Sequence, residues 1–256
     1  MDGGAHKKAG RNMLYLSKND IEKIAEEIID QYKVRTQVTR YPGYFVDSTM
    51  LAAQHGFHVA YECITRDGSI LGETSNGAIW TTIVDADMED TFFYLDGRTI
   101  LVEKRLLLDH RNNGRRNFTI AHELAHQFIH REYPEMYGAQ YRKFCDYRRS
   151  AKQHKPITDW REWQADALAA ALLLPREAIE DSMFFFGLGK KMKVLSKKYS
   201  EYKYNRFCEM ADFLQVSRTT LSYRMEQLGL LERNYLIKEA QARKGAYAYG
   251  EPIPNR

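Results

Sequence analysis

The stretch "NFTIAHELAHQFIHREY", Asn117 to Tyr133, sets His122, His126 and His130 four residues apart, with Glu123 directly after the first. On a helix, residues four apart differ by about 40° around the axis. His122 and His126 therefore project side by side, and their imidazoles can converge on one Zn²⁺ at about 2.0–2.1 Å. Glu123 lies on the same half of the helix, where it can take a proton from a water at the ion. This is the HExxH arrangement, here "HELAH". The competing explanation is a chance match on a solvated face. The flanks oppose it, because Phe118, Ile120, Ala121, Leu124, Ala125, Phe128 and Ile129 surround the polar triplet almost completely. A helix so flanked is buried, and buried His and Glu side chains require partners.

A catalytic zinc site uses three protein ligands and keeps one position open. His130 continues the series, but it starts about 12 Å from His122 along the same axis. Three collinear imidazoles cannot meet on one tetrahedral ion, so His130 is left with a surrounding, substrate-side or surface role. The longer pattern HExxHxxGxxH also fails, since Ile129 and Glu132 stand where Gly and His are needed. The third ligand must come from another helix. "DWREWQADALAAALLLP" offers Glu162 and Asp166 on one face, with Leu168, Ala169, Leu172 and Leu173 opposite. Glu162 suits the ligand role, and Asp166 suits a hydrogen bond that fixes the tautomer of a ligating histidine. Asp159 suits a helix cap. His130, Tyr133, Tyr137 and Tyr141 are near enough in sequence to steady an oxyanion or touch substrate, and the sequence does not choose among them.

These residues need elements to position them. "DIEKIAEEIIDQYKV" repeats Ile and Ala at helical spacing behind Ser17 or Asn19 as cap, and "DSTMLAAQHG" is a second short helix between Asp47 and Gly56. Five strand-like runs follow, separated by Asp67-Gly68, Asn76-Gly77 and Asp96-Gly97. They predict a small, mostly antiparallel sheet over about 57–105. From Arg115 the pattern turns helical, with helices expected over about 115–131, 158–173, 175–182, 189–200, 205–214 and 217–228. The polar run from Glu132 to Pro156 lacks periodicity and is expected to be a long excursion.

With 256 residues, 44% hydrophobic and 28% charged, the chain can bury a real core. A net charge of +4 is mildly basic and does not by itself imply nucleic acid. Cys63, Cys145 and Cys208 are too far apart for a disulfide framework or a cysteine zinc site. The first residues lack an apolar leader core, and no apolar run approaches the roughly 20 residues that span a bilayer. The expected setting is a soluble, cytoplasmic chain.

Near the C-terminus, "FCEMADFLQVSRTTLSYRMEQLGLL" pairs two short helices around Gln215–Ser217, as in a helix-turn-helix. Arg218, Thr219 and Arg224 would be the residues to contact nucleic acid. The alternative is a packed pair with Phe207, Met210, Ala211, Leu214 and Leu221 in its core.

"GRRNFTIAHELAHQFIHR" followed by "EWQADALAAALLLP" resembles the ImmA/IrrE family of gluzincin-like metallo-endopeptidases. Upstream "DIEKIAEEIID", "SILGETS" and "GRTILVEKRLL", and downstream "FLQVSRTTLSYRMEQLGLL", extend the resemblance to about 17–232. It implies an α+β fold: a small, mostly antiparallel sheet packed against a zincin-like helical core, with a C-terminal helix-turn-helix-like segment. The division expected is a disordered extension over 1–13, the metallopeptidase domain over 14–185, the helical segment over 186–235 and a flexible tail over 236–256. The resemblance also implies zinc on His122, His126 and Glu162, Glu123 as the catalytic glutamate, and Asp166 at the acidic position that follows. Leu174 stands where the family often has Met before the proline. The implied partner is a helix-turn-helix repressor, often encoded beside such a protein in bacterial or mobile-element DNA, whose cleavage relieves repression. In the family the C-terminal pair generally packs on the protease core. The competing function is a regulator that binds DNA or a repressor and keeps an inactive or structural zinc.

Overall fold

The computed structural model describes residues 16–37, 44–108, 113–134, 143–148 and 160–236. The extension expected over 1–13 and the tail from 237 onward lie outside the described residues. The chain divides into two compact units: one comprises residues up to Val38 together with Phe45–Pro175, the other Thr39–Tyr44 with Arg176 onward.

In the first unit, α1 (Lys18–Thr36) starts at a capping box in which Ser17 Oγ accepts from the Asp20 amide and the Asp20 carboxylate accepts from the Ser17 amide. Its buried stripe is Ile21, Ala25, Ile28, Ile29 and Tyr32. Helix α2 (Ser48–Gln54) is capped by Asp47, whose carboxylate accepts from the Met50 amide. Strands β1 (His58–Glu62), β2 (Ile70–Ser75), β3 (Ala78–Val84), β4 (Asp90–Asp96) and β5 (Thr99–Glu103) follow, then the short α3 (Arg105–Leu108), long α4 (Asn113–Glu132), β6 (Lys143–Arg148) and α5 (Trp160–Leu173).

The strands do not form one meander. A four-stranded sheet runs in the order β1-β5-β2-β6, while β3 and β4 make a separate antiparallel hairpin. Pairing is mostly antiparallel, except that β1 and β5 run parallel, with Val59 opposite Ile100. The stretch "RTILVEKRLL" is therefore strand only to Glu103, and its end turns helical as α3. The polar excursion contains β6, which pairs antiparallel with β2 from Ser75↔Lys143 to Ile70↔Arg148. Its sequence has no alternation to announce a strand, and the pairing is long-range in the chain.

Helix α4 is the centre of this unit. Every residue from Thr119 to Ile129 is buried, as its apolar flanks require. It packs on α5, whose buried residues include Ala165, Leu168, Ala169 and Leu172, and on the sheet at β2, β5 and β6. Gln164, also buried on α5, accepts a 2.6 Å hydrogen bond from the Leu16 amide and donates to the Trp160 carbonyl.

The second unit holds α6 (Arg176–Phe185), β7 (Met192–Leu195), α7 (Glu201–Phe213), α8 (Arg218–Gln227) and β8 (Leu231–Asn234). A helix over 189–200 is not formed. Met192 and Leu195 are buried and Lys193 is exposed, and the run pairs in parallel with β8. Four residues are too few to show which period wins, and the partner strand lies beyond two helices. Ser217 caps α8 by accepting from the Thr220 amide at 3.0 Å. Phe207, Met210, Ala211, Leu221 and Met225 line the α7–α8 core.

Candidate metal centre

Helix α4 presents His122, Glu123 and His126, each fully buried, while Glu162 and Asp166 come from the first two turns of α5. A carboxylate in a first helical turn lies in the favourable end of the helix dipole, which suits Glu162. The Nε2 atoms of His122 and His126 are 3.1 Å apart. Glu162 reaches both rings, with Oε2 at 3.2 Å from His122 Nε2 and Oε1 at 3.3 Å from His126 Nε2. One ligand atom from each of the three lies within 4.8 Å of the others. Ligands of a tetrahedral ion at about 2.0–2.1 Å are themselves about 3.3 Å apart. Two imidazoles and a carboxylate at this spacing therefore fit a zinc ion, and they are the donor types zinc takes.

Asp166 accepts a hydrogen bond from His122 Nδ1–H at 2.9 Å. With Nδ1 protonated toward Asp166, the lone pair of Nε2 faces His126 and Glu162, the tautomer a metal ligand needs. The electrostatics of the metal-free cluster follow from burial and these carboxylates. Burial works against charge on His122, but the bonds to Asp166 and Glu162 outweigh it and push its pKa up to about 10. His126 is equally buried and stays below the usual histidine range, since burial and the His122 charge prevail over Glu162. Burial opposes ionisation of Glu162, yet the two histidines hold its carboxyl far below the usual carboxylate range.

Glu123 points to the sheet side of α4, against β2. A Cβ placed on Gly72 would stand 2.8 Å from Glu123 Oε1, 3.0 Å from its Cγ and 2.6 Å from Thr119 Cγ2. Only a residue without a side chain lets β2 approach the helix this closely. Two residues further, Thr74 Oγ1 and the Ser75 carbonyl accept 2.7 Å hydrogen bonds from Gln127 Nε2, which lock the next turn of α4 onto the same strand. The single clue available earlier was a glycine in the middle of "SILGETS", the mark of a close backbone approach. Gln127, Thr74 and Ser75 carried no signal at all.

His130 sits one turn beyond His126, half-buried, with Nε2 3.2 Å from Asn76 Nδ2; burial lowers its pKa. It is absent from the cluster of ligand atoms. Tyr133 lies just past the end of α4, about 10 Å along the axis from His126. Tyr137, Tyr141 and Asp159 lie outside the described residues. In the second unit, Arg218 and Thr219 are exposed at the start of α8, whereas Arg224 is buried.

A buried histidine pair one turn apart, a neighbouring glutamate and a carboxylate from a second helix support a metallopeptidase-type function. The chain belongs to the peptidase family of the IrrE N-terminal-like domain, whose family model matches residues 81–226, more than half of the sequence. The match includes α4, α5 and nearly all of the α7–α8 pair. A comparison with curated proteins gives no match. No helix among the described residues is long and apolar enough to cross a membrane.

Proposed function

We propose that this protein is a zinc-dependent endopeptidase that cuts a helix-turn-helix transcriptional repressor and so relieves repression. The observation that carries the reading is the convergence of His122, His126 and Glu162 within 4.8 Å, beside a buried glutamate that follows the first ligand. Zinc, when bound there, supplies Lewis acidity to water and to the scissile carbonyl. The chain's own residues do the rest. His122, His126 and Glu162 hold the ion, and Asp166 keeps the His122 ring in its working tautomer. Glu123 takes the proton of the attacking water at its carboxylate and delivers it to the leaving amine nitrogen. Gly72 and Thr119 set where that carboxylate stands. The repressor as substrate rests on the family resemblance.

A regulator that acts by binding DNA has less support, because Arg224, one of its three expected contact residues, is buried. The deciding experiment co-expresses the full-length chain with helix-turn-helix repressors, wild type beside Glu123→Gln, with zinc content measured in both. Zinc in both proteins and cleavage by the wild type alone is the expected result. Cleavage by Glu123→Gln would sink the mechanism.

A further inference from the structure

The β3–β4 hairpin carries a face that nothing in the peptidase mechanism uses. Its register pairs Ile79 with Leu95, Thr81 with Phe93 and Ile83 with Thr91 on one side, and Trp80 with Tyr94 and Thr82 with Phe92 on the other. The first side packs inward, where Ile83 and Leu95 join Ile64 and Leu101 in a core cluster. The second side is left to water: Trp80 is 65% exposed, Phe92 72% and Tyr94 48%. The Trp80 and Tyr94 rings lie 5.2 Å apart, so the three aromatics form one surface. A contiguous exposed apolar patch with a polar rim is the signature of a docking site.

The rim identifies the occupant. From Asn76 to Gly97 the sequence holds five acids, Asp85, Asp87, Glu89, Asp90 and Asp96, and no Lys, Arg or His, in a chain of net charge +4. Arg66 neutralises Asp90 at 2.9 Å, and Asp85 and Asp96 are occupied by turn amides. Asp87 and Glu89, at the exposed tip, have no ion pair among the described residues. The hairpin is rooted on α4 just past the ligand His126: Asn76, at its root, touches His130, and Ser75 before it is held by Gln127. We infer that the hairpin is a recruiting surface for a cationic amphipathic helix of the protein substrate, apolar residues against Trp80, Phe92 and Tyr94 and basic residues toward the acidic tip. An acidic rim without basic residues around an exposed aromatic face calls for a partner of opposite charge that carries apolar residues beside its cations. The inference rests on the proposed peptidase reading only in calling the occupant a substrate.

The test uses full-length Glu123→Gln protein and a labelled synthetic amphipathic helical peptide with Leu on one face and Lys on the other. Fluorescence anisotropy should show binding that weakens as salt is raised. Trp80→Ser with Phe92→Ser should weaken it about tenfold or more. Asp87→Asn with Glu89→Gln should remove most of the salt dependence, and unchanged thermal midpoints would show that both variants remain folded. Equal binding by the aromatic variant, equal binding of a peptide with Glu in place of Lys, or no binding at all would overturn the inference. So would a wild-type dimer that Trp80→Ser with Phe92→Ser dissociates, since the occupant would then be a second copy. Because binding is read without cleavage, an inactive wild type would count against the peptidase reading and leave this result standing.

Discussion

Helices α4 and α5 bury His122, Glu123, His126 and Gln164, whereas α7 and α8 meet through Phe207, Met210, Ala211, Leu221 and Met225. The sequence marks the first pair by polar residues at helical spacing and the second by two short helices meeting around Gln215–Ser217. In the first pair His122 and His126 turn inward and are held by each other, by Glu162 and by Asp166, and Gln164 is held by the Leu16 amide. In the second pair Arg218 and Thr219 stay in solvent, while the interior of α8 sets Leu221 and Met225 beside buried Ser222 and Arg224. Burying a polar cluster is unfavourable unless every group is met, so a cluster retained in a core marks chemistry. Among the described residues α7 and α8 bring together no comparable cluster of histidines and carboxylates, so packing accounts for that pair.

If that contrast is right, Glu123→Gln gives the largest effect in the molecule. Cleavage should fall about 10²–10⁴-fold, the range for losing a general base, with zinc content and fold retained. A loss confined to KM would show that Glu123 only binds substrate. Gly72→Ala comes next. Its Cβ would collide with Glu123 Oε1 and Thr119 Cγ2, so turnover should drop about 10²-fold. Stability should fall by about 1–3 kcal/mol, the usual result of overpacking. Adding Thr119→Ser relieves the methyl clash alone; if it restored turnover, the position of Glu123 would not be the cause. Asp166→Asn should weaken zinc affinity about 10–100-fold, read by competition with a chelator, because the His122 tautomer loses its anchor.

The metal-free protein should show the same contrast through pH. The raised pKa of His122, about 10, means that its contribution is complete below its ordinary value of 6.5 and is lost as pH climbs through 10. His126 and Glu162, both lowered, work in the other direction. Stability falls below about 6.5 as the unfolded His126 takes up a proton, and falls further below 4.5 as the unfolded Glu162 does the same while the folded one stays charged. The stability of the metal-free chain should therefore peak near neutrality and decline on both sides, as read by denaturant unfolding across pH. Zinc loading displaces the His122 proton and should flatten the alkaline side. An unchanged alkaline slope with zinc would place the ion elsewhere. The smallest effect belongs to the second pair: Ser217→Ala removes the α8 cap and should cost about 1 kcal/mol without altering zinc affinity or cleavage.

Period and residue type were enough for much of this. The helices around "HELAH" and "EWQAD" were legible because long amphipathic or fully apolar runs state their own period, and the caps Ser17, Asp47 and Ser217 are local events. The His122–His126 pair follows from helix geometry alone. What the residues could not state was anything set by long-range pairing. Strand β6 has no alternation of its own and exists as the partner of β2. The residues of β7 suggest a helix in sequence, since four residues carry no reliable period and β8 is distant in the chain.

The sequence by itself determined which residues could hold a metal, that they sit on two helices, and that one of those helices is buried. Only the tertiary structure decided that α5 brings Glu162 and Asp166 to opposite nitrogens of His122, and that β2 passes so close to α4 that residue 72 must lack a side chain. It alone turned the outer face of β3 and β4 into one aromatic surface. The physical reason is common to all three. A helix's period is written in its own residues, while the approach of two elements depends on packing and hydrogen bonds between segments that the chain order does not join.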